Sequence, residues 1–243
     1  MKSKRLLVVS DLHCGSRWGL IKDNNDRQWK AFSSAIDKLK PFEVCLVNGD
    51  CIDGKGERTG GIEQITTDRI EQKNMAIDCL DYVGAKKYLF TYGTPYHAGK
   101  EEDWEKLIAE HFDARISGQC FFEVNGLSFH AKHKIAGSTI PHGRFTPLAR
   151  QNLWNLFWQE FDEVPRVQVF IRSHVHYFSY CGDESYLAMT TPALQGWGSH
   201  YGERMCEGTV AFGFVVFDVQ SKEEFTWNPY VFRGIKQATI TKF

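Results

Sequence analysis

A short apolar run near the start of the chain ends abruptly in residues with metal-binding side chains. Leu6–Val9 is rich in branched residues and too short for a helix, so it predicts a buried strand. Asp11 and His13 follow it, and their spacing of two lets both side chains point the same way at a strand end. A carboxylate and an imidazole that converge in this way form half of a metal site. The alternative is a strand that ends in a polar turn, with His13 hydrogen-bonded to a neighbour.

Strand and helix patterns alternate along the N-terminal part of the chain. Buried strands are predicted over 6–9, 43–48 and 87–92, and helices over 29–39 and 62–83 lie between them. This rhythm predicts a largely parallel sheet that is covered on both faces. Ligands of such sheets collect beyond the carboxyl ends of the strands. The loops that follow these three strands are therefore expected to meet at one edge.

The remainder of the chain is richer in strands. Asn125-Gly126 separates two strand-like runs and predicts a hairpin. A helix is predicted over 146–161, and we interpret its Trp154 and Trp158 as core residues. Further strands are predicted near 167–171, 186–190 and 211–219.

The composition is that of an ordinary globular protein, with 42% hydrophobic and 24% charged residues. A formal net charge of -1 gives no overall field that would attract nucleic acid or an anionic membrane. The seven cysteines are scattered and include no Cys-x-x-Cys pair, which favours a reduced, cytoplasmic protein. No apolar run is long enough to cross a bilayer, and we interpret the first run as a strand and not as a signal peptide.

Five loops that follow predicted strands carry candidate metal ligands. A single histidine at a strand end is usually structural, but five such loops in one chain are hard to attribute to chance. Mixed carboxylate and imidazole ligation suits manganese, iron or zinc better than calcium or a purely structural zinc ion. The candidates are Asp11 and His13, Asp50 with Asp53, the 93–97 loop with His97, His130 with His133, and His174 with His176.

The order of these motifs resembles that of the calcineurin-like metallophosphoesterase superfamily. The family's Asp-x-His and Gly-Asp-x-x-Asp motifs match Asp11–His13 and Gly49–Asp53, and its Gly-His-x-His motif corresponds to Ser173–His176, with serine in place of glycine. Its Gly-Asn-His motif corresponds to 93–97, where His97 lies further along the chain than the family's histidine. The resemblance spans Asp11 to His176. It implies an α/β fold in which two mixed β-sheets pack face to face and are flanked by helices, as a four-layer sandwich forming one domain over 1–243.

The resemblance also implies a centre of two divalent metal ions. Manganese is the expected metal, with iron, zinc, nickel and magnesium as alternatives. Asp53 would orient a ligand or the Gly-Asp turn. The implied ligands are Asp11, His13 and His176 for the first ion, His133 and His174 for the second, and Asp50 as the bridge between them.

Two places leave the ligand assignment open. Thr94 stands where the family has asparagine, and its hydroxyl is a poorer ligand than an amide carbonyl, so a weaker second ion or an additional ligand is expected. The single histidine between the last two motifs is His130 or His133. Their odd offset places them on opposite sides of a regular strand, and we favour His133, at the polar end.

The expected function is metal-dependent hydrolysis of a phosphoester by a phosphatase or phosphodiesterase. Two ions about 3.5–4 Å apart can clamp a phosphoryl group and supply a hydroxide for in-line attack. His97 and Asp50 are the implied catalytic residues, with His97 near the leaving oxygen. Arg144 is a candidate for binding a phosphate oxygen, and Trp197 for stacking on a ring. The alternatives are a metallo-nuclease, with nucleic acid as its partner, and a noncatalytic metal-binding scaffold. No membrane partner is expected.

Overall fold

A computed structural model describes residues 2–57, 59–99, 102–196, 198–199, 210–233 and 240–242. Trp197 lies outside these ranges. Within them, no helix combines the length and the apolar character needed to cross a bilayer. The strands are β1 (Lys4–Val9), β2 (Val44–Asn48), β3 (Lys87–Thr91), β4 (Arg115–Ser117), β5 (Cys120–Val124), β6 (Leu127–Ala131), β7 (Val169–Arg172), β8 (Ser179–Gly182), β9 (Leu187–Thr190), β10 (Phe212–Val219) and β11 (Phe225–Phe232). The helices are α1 (Arg27–Leu39), α2 (Arg69–Val83), α3 (Pro95–Ala98), α4 (Trp104–His111) and α5 (Phe145–Gln159), with a 3-10 turn at Pro141–Arg144.

The strands form two mixed sheets. The first has the order β11-β10-β1-β2-β3-β4, and the second has the order β5-β6-β7-β9-β8. The strands β1 to β4 run parallel, and β10 and β11 are added antiparallel at one side. In the second sheet β6, β7 and β9 are parallel, and β5 and β8 are antiparallel to their neighbours. The predicted hairpin at Asn125-Gly126 is confirmed as the turn between β5 and β6.

Three apolar clusters show how the layers stack. Alternate residues of β1 face opposite sides, so Leu6 and Val8 pack between the two sheets, where Phe129 and Ile171 of the second sheet meet them. Residues such as Leu7 and Val9 face outward against α1, α2 and α4. The outer face of the second sheet packs on Leu148 of α5. The predicted sandwich of two sheets flanked by helices is therefore confirmed.

The second helix is shorter than the sequence pattern predicts. It begins at Arg69 instead of near Ile62, because the Asp68 side chain accepts a hydrogen bond from the Ile70 backbone N–H at 2.8 Å and caps the helix there. Residues 62–68 form turns and irregular backbone ahead of it. The apolar residues in 62–68 had extended the helical pattern beyond its true start.

The prediction that Trp154 and Trp158 belong to the core is wrong. Their side chains are 51% and 45% exposed. The buried face of α5 is instead formed by residues that include Leu148 and Asn155. The helix carries apolar residues on both faces, so the pattern could not decide which face packs on the sheet.

The two sheets bring the polar loops together at one edge. Beyond the ends of β1 and β2 the backbone pairing continues, since the N–H groups of Asp11 and His13 donate to the carbonyls of Gly49 and Asp50 at 3.0 Å. The second sheet joins this edge through Asn48, whose side-chain amide donates to the Ser173 hydroxyl at 2.6 Å. The loops that follow β1, β2, β6 and β7 therefore lie together at one site, as expected at the carboxyl ends of parallel strands.

Candidate metal centre

The first group of candidate ligands contains Asp11, His13 and His176. All three are buried, and each offers one ligand atom within 4.8 Å of the others. Nε2 of His176 lies 3.2 Å from Asp11 Oδ1 and 3.3 Å from Nε2 of His13. Two ring nitrogens and a carboxylate oxygen therefore converge on one point, although they belong to loops far apart in the chain.

The second group contains Asp50, His133 and His174. Nε2 of His133 lies 3.0 Å from Asp50 Oδ2. The Thr94 hydroxyl sits among them, 3.1 Å from Asp50 Oδ2 and 3.3 Å from Nδ1 of His174. The structure thus places the Thr94 hydroxyl among the candidate ligand atoms of the second group.

The two groups are neighbours. Asp11 Oδ1 lies 4.0 Å from Nε2 of His133 in the second group. The backbone N–H of His174 donates to Asp11 Oδ2 at 3.4 Å. Two carboxylates and four imidazoles are thereby collected in one cluster, in which His174 is half-buried and the others are buried.

The backbone at this cluster is in a conformation that most residues avoid. Five of the six predicted ligands have a positive φ between 46° and 74°: Asp11, His13, Asp50, His174 and His176. Such angles are uncommon outside glycine, and each costs on the order of 1–3 kcal/mol. The strain is concentrated at the candidate ligands, which is a frequent property of functional sites.

Two glycines allow the loops to approach each other. Gly49 has a φ of 82°, and a Cβ there would lie 2.6 Å from Nδ1 of His133. A Cβ at Gly93 would overlap the backbone of Asp50. Both positions therefore require glycine for the Asp50 and Thr94 loops to pack this closely.

The pKa values reflect a tightly coupled set of charges. Burial opposes ionisation of Asp11, but His176 and His133 outweigh it and hold the pKa of its carboxyl at about 2. Burial likewise opposes a charge on His133, yet Asp50 and Asp11 raise the pKa of the imidazole to about 10. Burial and the charge on His133 lower the pKa of His174 to about 4. Both carboxylates are thus ready to bind a cation, whereas His133 must release a proton to do so.

Backbone and carboxylate acceptors orient two of the imidazoles. Nδ1 of His133 donates to the Asn48 carbonyl at 2.7 Å, so Nε2 carries the lone pair toward the cluster. Nδ1 of His13 is paired with Asp53 Oδ1 at 3.0 Å. Asp53 is in turn held by the Gln64 amide. Such contacts fix the ring tautomer of metal-binding histidines.

His97 lies beside the first group and faces a cavity. Its Nδ1 donates to the Asp53 carbonyl at 2.8 Å, and its ring centre is 4.5 Å from that of His13. Nε2 is therefore the atom that can exchange a proton with a bound molecule. The cavity has a volume of about 710 Å³, and its lining includes His97, Tyr96, Lys134 and ligands of both groups.

Two of the sequence-predicted candidates lie elsewhere. His130 contacts Gln119 through Nε2 at 3.1 Å and Arg172 through Nδ1 at 3.1 Å, so the structure does not bring it to either group of candidate ligands. It points to the outer side of its strand, as the odd offset from His133 predicts. Arg144 packs over the Tyr177 ring at 4.3 Å and is not among the residues that line the cavity.

The sequence analysis missed Glu105 of α4. Its side chain is fully buried, and it accepts hydrogen bonds from the backbone N–H groups of Cys51 at 3.1 Å and Gly93 at 2.6 Å. Burial and the nearby Asp50 raise the pKa of this carboxyl to about 7. One side chain thus ties the Asp50 loop to the Thr94 loop. The available signal was a carboxylate on the same helix face as Ile108 and Ala109, where a charge needs partners.

Replacing Glu105 with glutamine should weaken both the fold and the metal centre. The amide has one acceptor oxygen where the carboxylate has two, so one buried N–H loses its partner at a cost of about 1–3 kcal/mol in the free energy of unfolding. Looser loops should reduce metal affinity by about 10- to 100-fold. Chemical denaturation and a metal titration measure the two effects, and the exposed Glu110→Gln on the same helix is the control. Wild-type values for Glu105→Gln in both experiments would show that the bridge is dispensable.

The residues present fit divalent metal ions. Oδ1 of Asp11 is buried without a well-aligned hydrogen-bond donor among the described residues, and Nε2 of His176 lies 3.2 Å from it. Two adjacent groups, each with a carboxylate and two imidazoles, match the ligand types of manganese, iron and zinc. Either group could bind a divalent cation with its existing side chains.

Comparison with known proteins identifies the fold. No family model and no curated protein matches the chain. Vps29 of Entamoeba histolytica, in a structure complexed with zinc, is similar over 95% of this chain and 93% of its own, with 14% identity and a TM-score of 0.53. Vps29 of Cryptosporidium parvum is similar over 96% of this chain and 99% of its own, with 10% identity and a TM-score of 0.51.

The likeness extends over nearly the whole of both chains, and at this identity it is a likeness of fold. The chain therefore has the same fold as these Vps29 structures.

Proposed function

We propose that this protein is a metal-dependent phosphoester hydrolase with two divalent ions, manganese being the expected metal. The observation that carries this proposal is the pair of adjacent ligand groups, Asp11/His13/His176 and Asp50/His133/His174, which open into one cavity. Asp50 would bridge the two ions, and the Thr94 hydroxyl would complete the second group.

The side chains of the site divide the chemistry between them. When bound, the two ions would hold the phosphate oxygens and supply the hydroxide that attacks phosphorus. His97 would donate a proton from Nε2 to the leaving oxygen, because its Nδ1 is fixed on the Asp53 carbonyl. Asp53 would keep His13 in the ligating orientation. Lys134 lines the cavity and would attract the anionic substrate.

A small phosphoester is the favoured substrate. A cavity of about 710 Å³ is of the size that encloses small ligands. The described lining residues of the cavity include the cation Lys134 and the acid Glu63. A nuclease needs a basic surface along the phosphate backbone of the nucleic acid, which this mixed lining does not favour. Free thiols at the six described cysteines support the cytoplasm as the location.

The test is hydrolysis by metal-stripped protein to which one metal is returned at a time. An aryl phosphomonoester and the matching diester are the substrates, and manganese should restore turnover that a chelator abolishes. The double variant Asp11→Asn/His176→Asn, prepared in the same way, excludes a contaminating phosphatase. If the folded protein binds metal and hydrolyses neither ester with manganese, iron, zinc, nickel or magnesium, the noncatalytic scaffold replaces this proposal.

A further inference from the structure

The outer face of α5 exposes a continuous group of large apolar side chains. The Phe157 ring contacts those of Trp154, Trp158 and Phe161, with ring centres 5.9, 5.2 and 5.2 Å apart. We call this group the α5 apolar face. Its members and their exposed fractions are Leu153 (62%), Trp154 (51%), Leu156 (41%), Phe157 (47%), Trp158 (45%) and Phe161 (61%).

This face is not needed to hold the helix on the domain. The opposite side of α5 carries Leu148, which is fully buried, and Asn155, whose side chain binds the Pro165 carbonyl and the Val167 N–H at 2.9 and 3.1 Å. At about half exposure each, the six side chains present on the order of 500 Å² of apolar surface, as much as the largest patch on a typical monomer. A stable interface buries about 800 Å² per partner, so this face with a polar rim is sufficient.

The charges around the face are arranged to complement a second copy of the same helix. Arg150 is exposed at the N-terminal end and shares the side of Trp154, Phe157 and Phe161, at i, i+4, i+7 and i+11. Exposed acidic residues lie at the other end. They are Glu160, Asp162 and Glu163.

When two copies of α5 pack antiparallel about a twofold axis, the apolar residues face each other and the charges of opposite sign lie side by side. With the axis level with residues 155 and 156, Trp154 faces Phe157 of the second copy, and Leu153 faces Trp158. Arg150 then lies beside the acidic end of the second copy, at both ends of the pair. A membrane is a poorer occupant, since helices that lie on membranes are rich in lysine and arginine and this one ends in acids.

We propose that the α5 apolar face is the interface of a homodimer in which two α5 helices pack antiparallel. Such an interface is self-complementary, as twofold symmetry requires. No residue of α5 lines the cavity of the candidate metal centre, so dimer formation is independent of the proposed hydrolysis.

Light scattering and sedimentation of the full chain at about 1 to 100 μM test this proposal. The wild type should have twice the monomer mass of 27.9 kDa, and Phe157→Glu should have the monomer mass. Ile70→Glu is the matched control, because Ile70 is 54% exposed on another helix and should leave the dimer intact. Circular dichroism should be unchanged in both variants, since neither side chain is buried within the monomer. The unfolding midpoint should be unchanged in Ile70→Glu and lower in Phe157→Glu, because dimer formation stabilises the folded chain.

A charge exchange tests the antiparallel arrangement. Arg150→Glu should weaken the dimer by about tenfold, and adding Glu160→Arg should recover most of that loss. A monomeric wild type at about 100 μM would overturn the proposal and leave the face to a partner of another sequence. A dimer that survives Phe157→Glu, or a double charge variant no tighter than Arg150→Glu, would equally contradict it.

Discussion

The Asp50→Asn variant should bind at most one metal ion and lose hydrolysis by about 1000-fold or more, which corresponds to about 4 kcal/mol in the transition state. Asp50 is the carboxylate of the second ligand group, and it accepts hydrogen bonds from the Thr94 N–H at 2.5 Å and the Thr94 hydroxyl at 3.1 Å. Asparagine has the same shape but no charge, and its amide nitrogen cannot ligate a cation.

Metal content by mass spectrometry and turnover of an aryl phosphoester measure this effect. The exposed Asp78→Asn on α2 is the control for a change of carboxylate to amide without a role in the site. Two bound ions together with wild-type turnover in Asp50→Asn would refute the bridging role. One bound ion with nearly full turnover would point to a mononuclear enzyme.

The His97→Ala variant should lose activity selectively on substrates with a poor leaving group. A positioned general acid contributes about 10²- to 10⁴-fold, and the need for it grows with the pKa of the leaving alcohol. An alkyl phosphoester should therefore show the full loss, whereas a nitrophenyl ester, whose leaving group departs as an anion, should lose less than about tenfold. Metal content should be unchanged, because His97 belongs to neither of the two proposed ligand groups, although it forms a third cluster of ligand atoms with His13 and Asp53.

The dependence of the rate on leaving-group pKa distinguishes this role from a structural one. The control is His111→Ala, since His111 is an exposed histidine on α4 that pairs with Asp81 at 3.4 Å. An equal loss for both esters would show that His97 positions the site and donates no proton. A loss of bound metal would place His97 among the ligands, with Asp53 and His13.

The fold could be predicted from the sequence because the strands are short, apolar and directly followed by polar loops. Once β1, β2 and β3 were taken as parallel, their loops had to share an edge, and Asp11 and Asp50 had to be near each other. The second sheet was predicted from the family resemblance, which rests on the order of the motifs. These are properties of chain direction and residue type, which a sequence displays.

What the sequence could not provide depends on neighbours far along the chain. Glu105 is recognisable as an acid on an apolar helix face, but its two N–H partners at Cys51 and Gly93 appear only when α4 packs over both loops. The exposure of Trp154 and Trp158 likewise depends on contacts between residues far apart in the chain. Periodicity shows which residues share a face of α5, and only packing on the second sheet decides which face is buried.

The positive φ angles at the ligands limit how this centre could change during evolution. Asp, Asn and His are the side chains that tolerate this left-handed backbone best, and the five strained positions hold Asp or His. Glutamate or cysteine could bind a metal there chemically but would add conformational cost. Thr94, with a φ of -78° and a ψ of 131°, is free of that restriction. A substitution at position 94 could therefore exchange one type of ligand for another and change the metal preference. It would do so without the conformational cost that the left-handed positions impose.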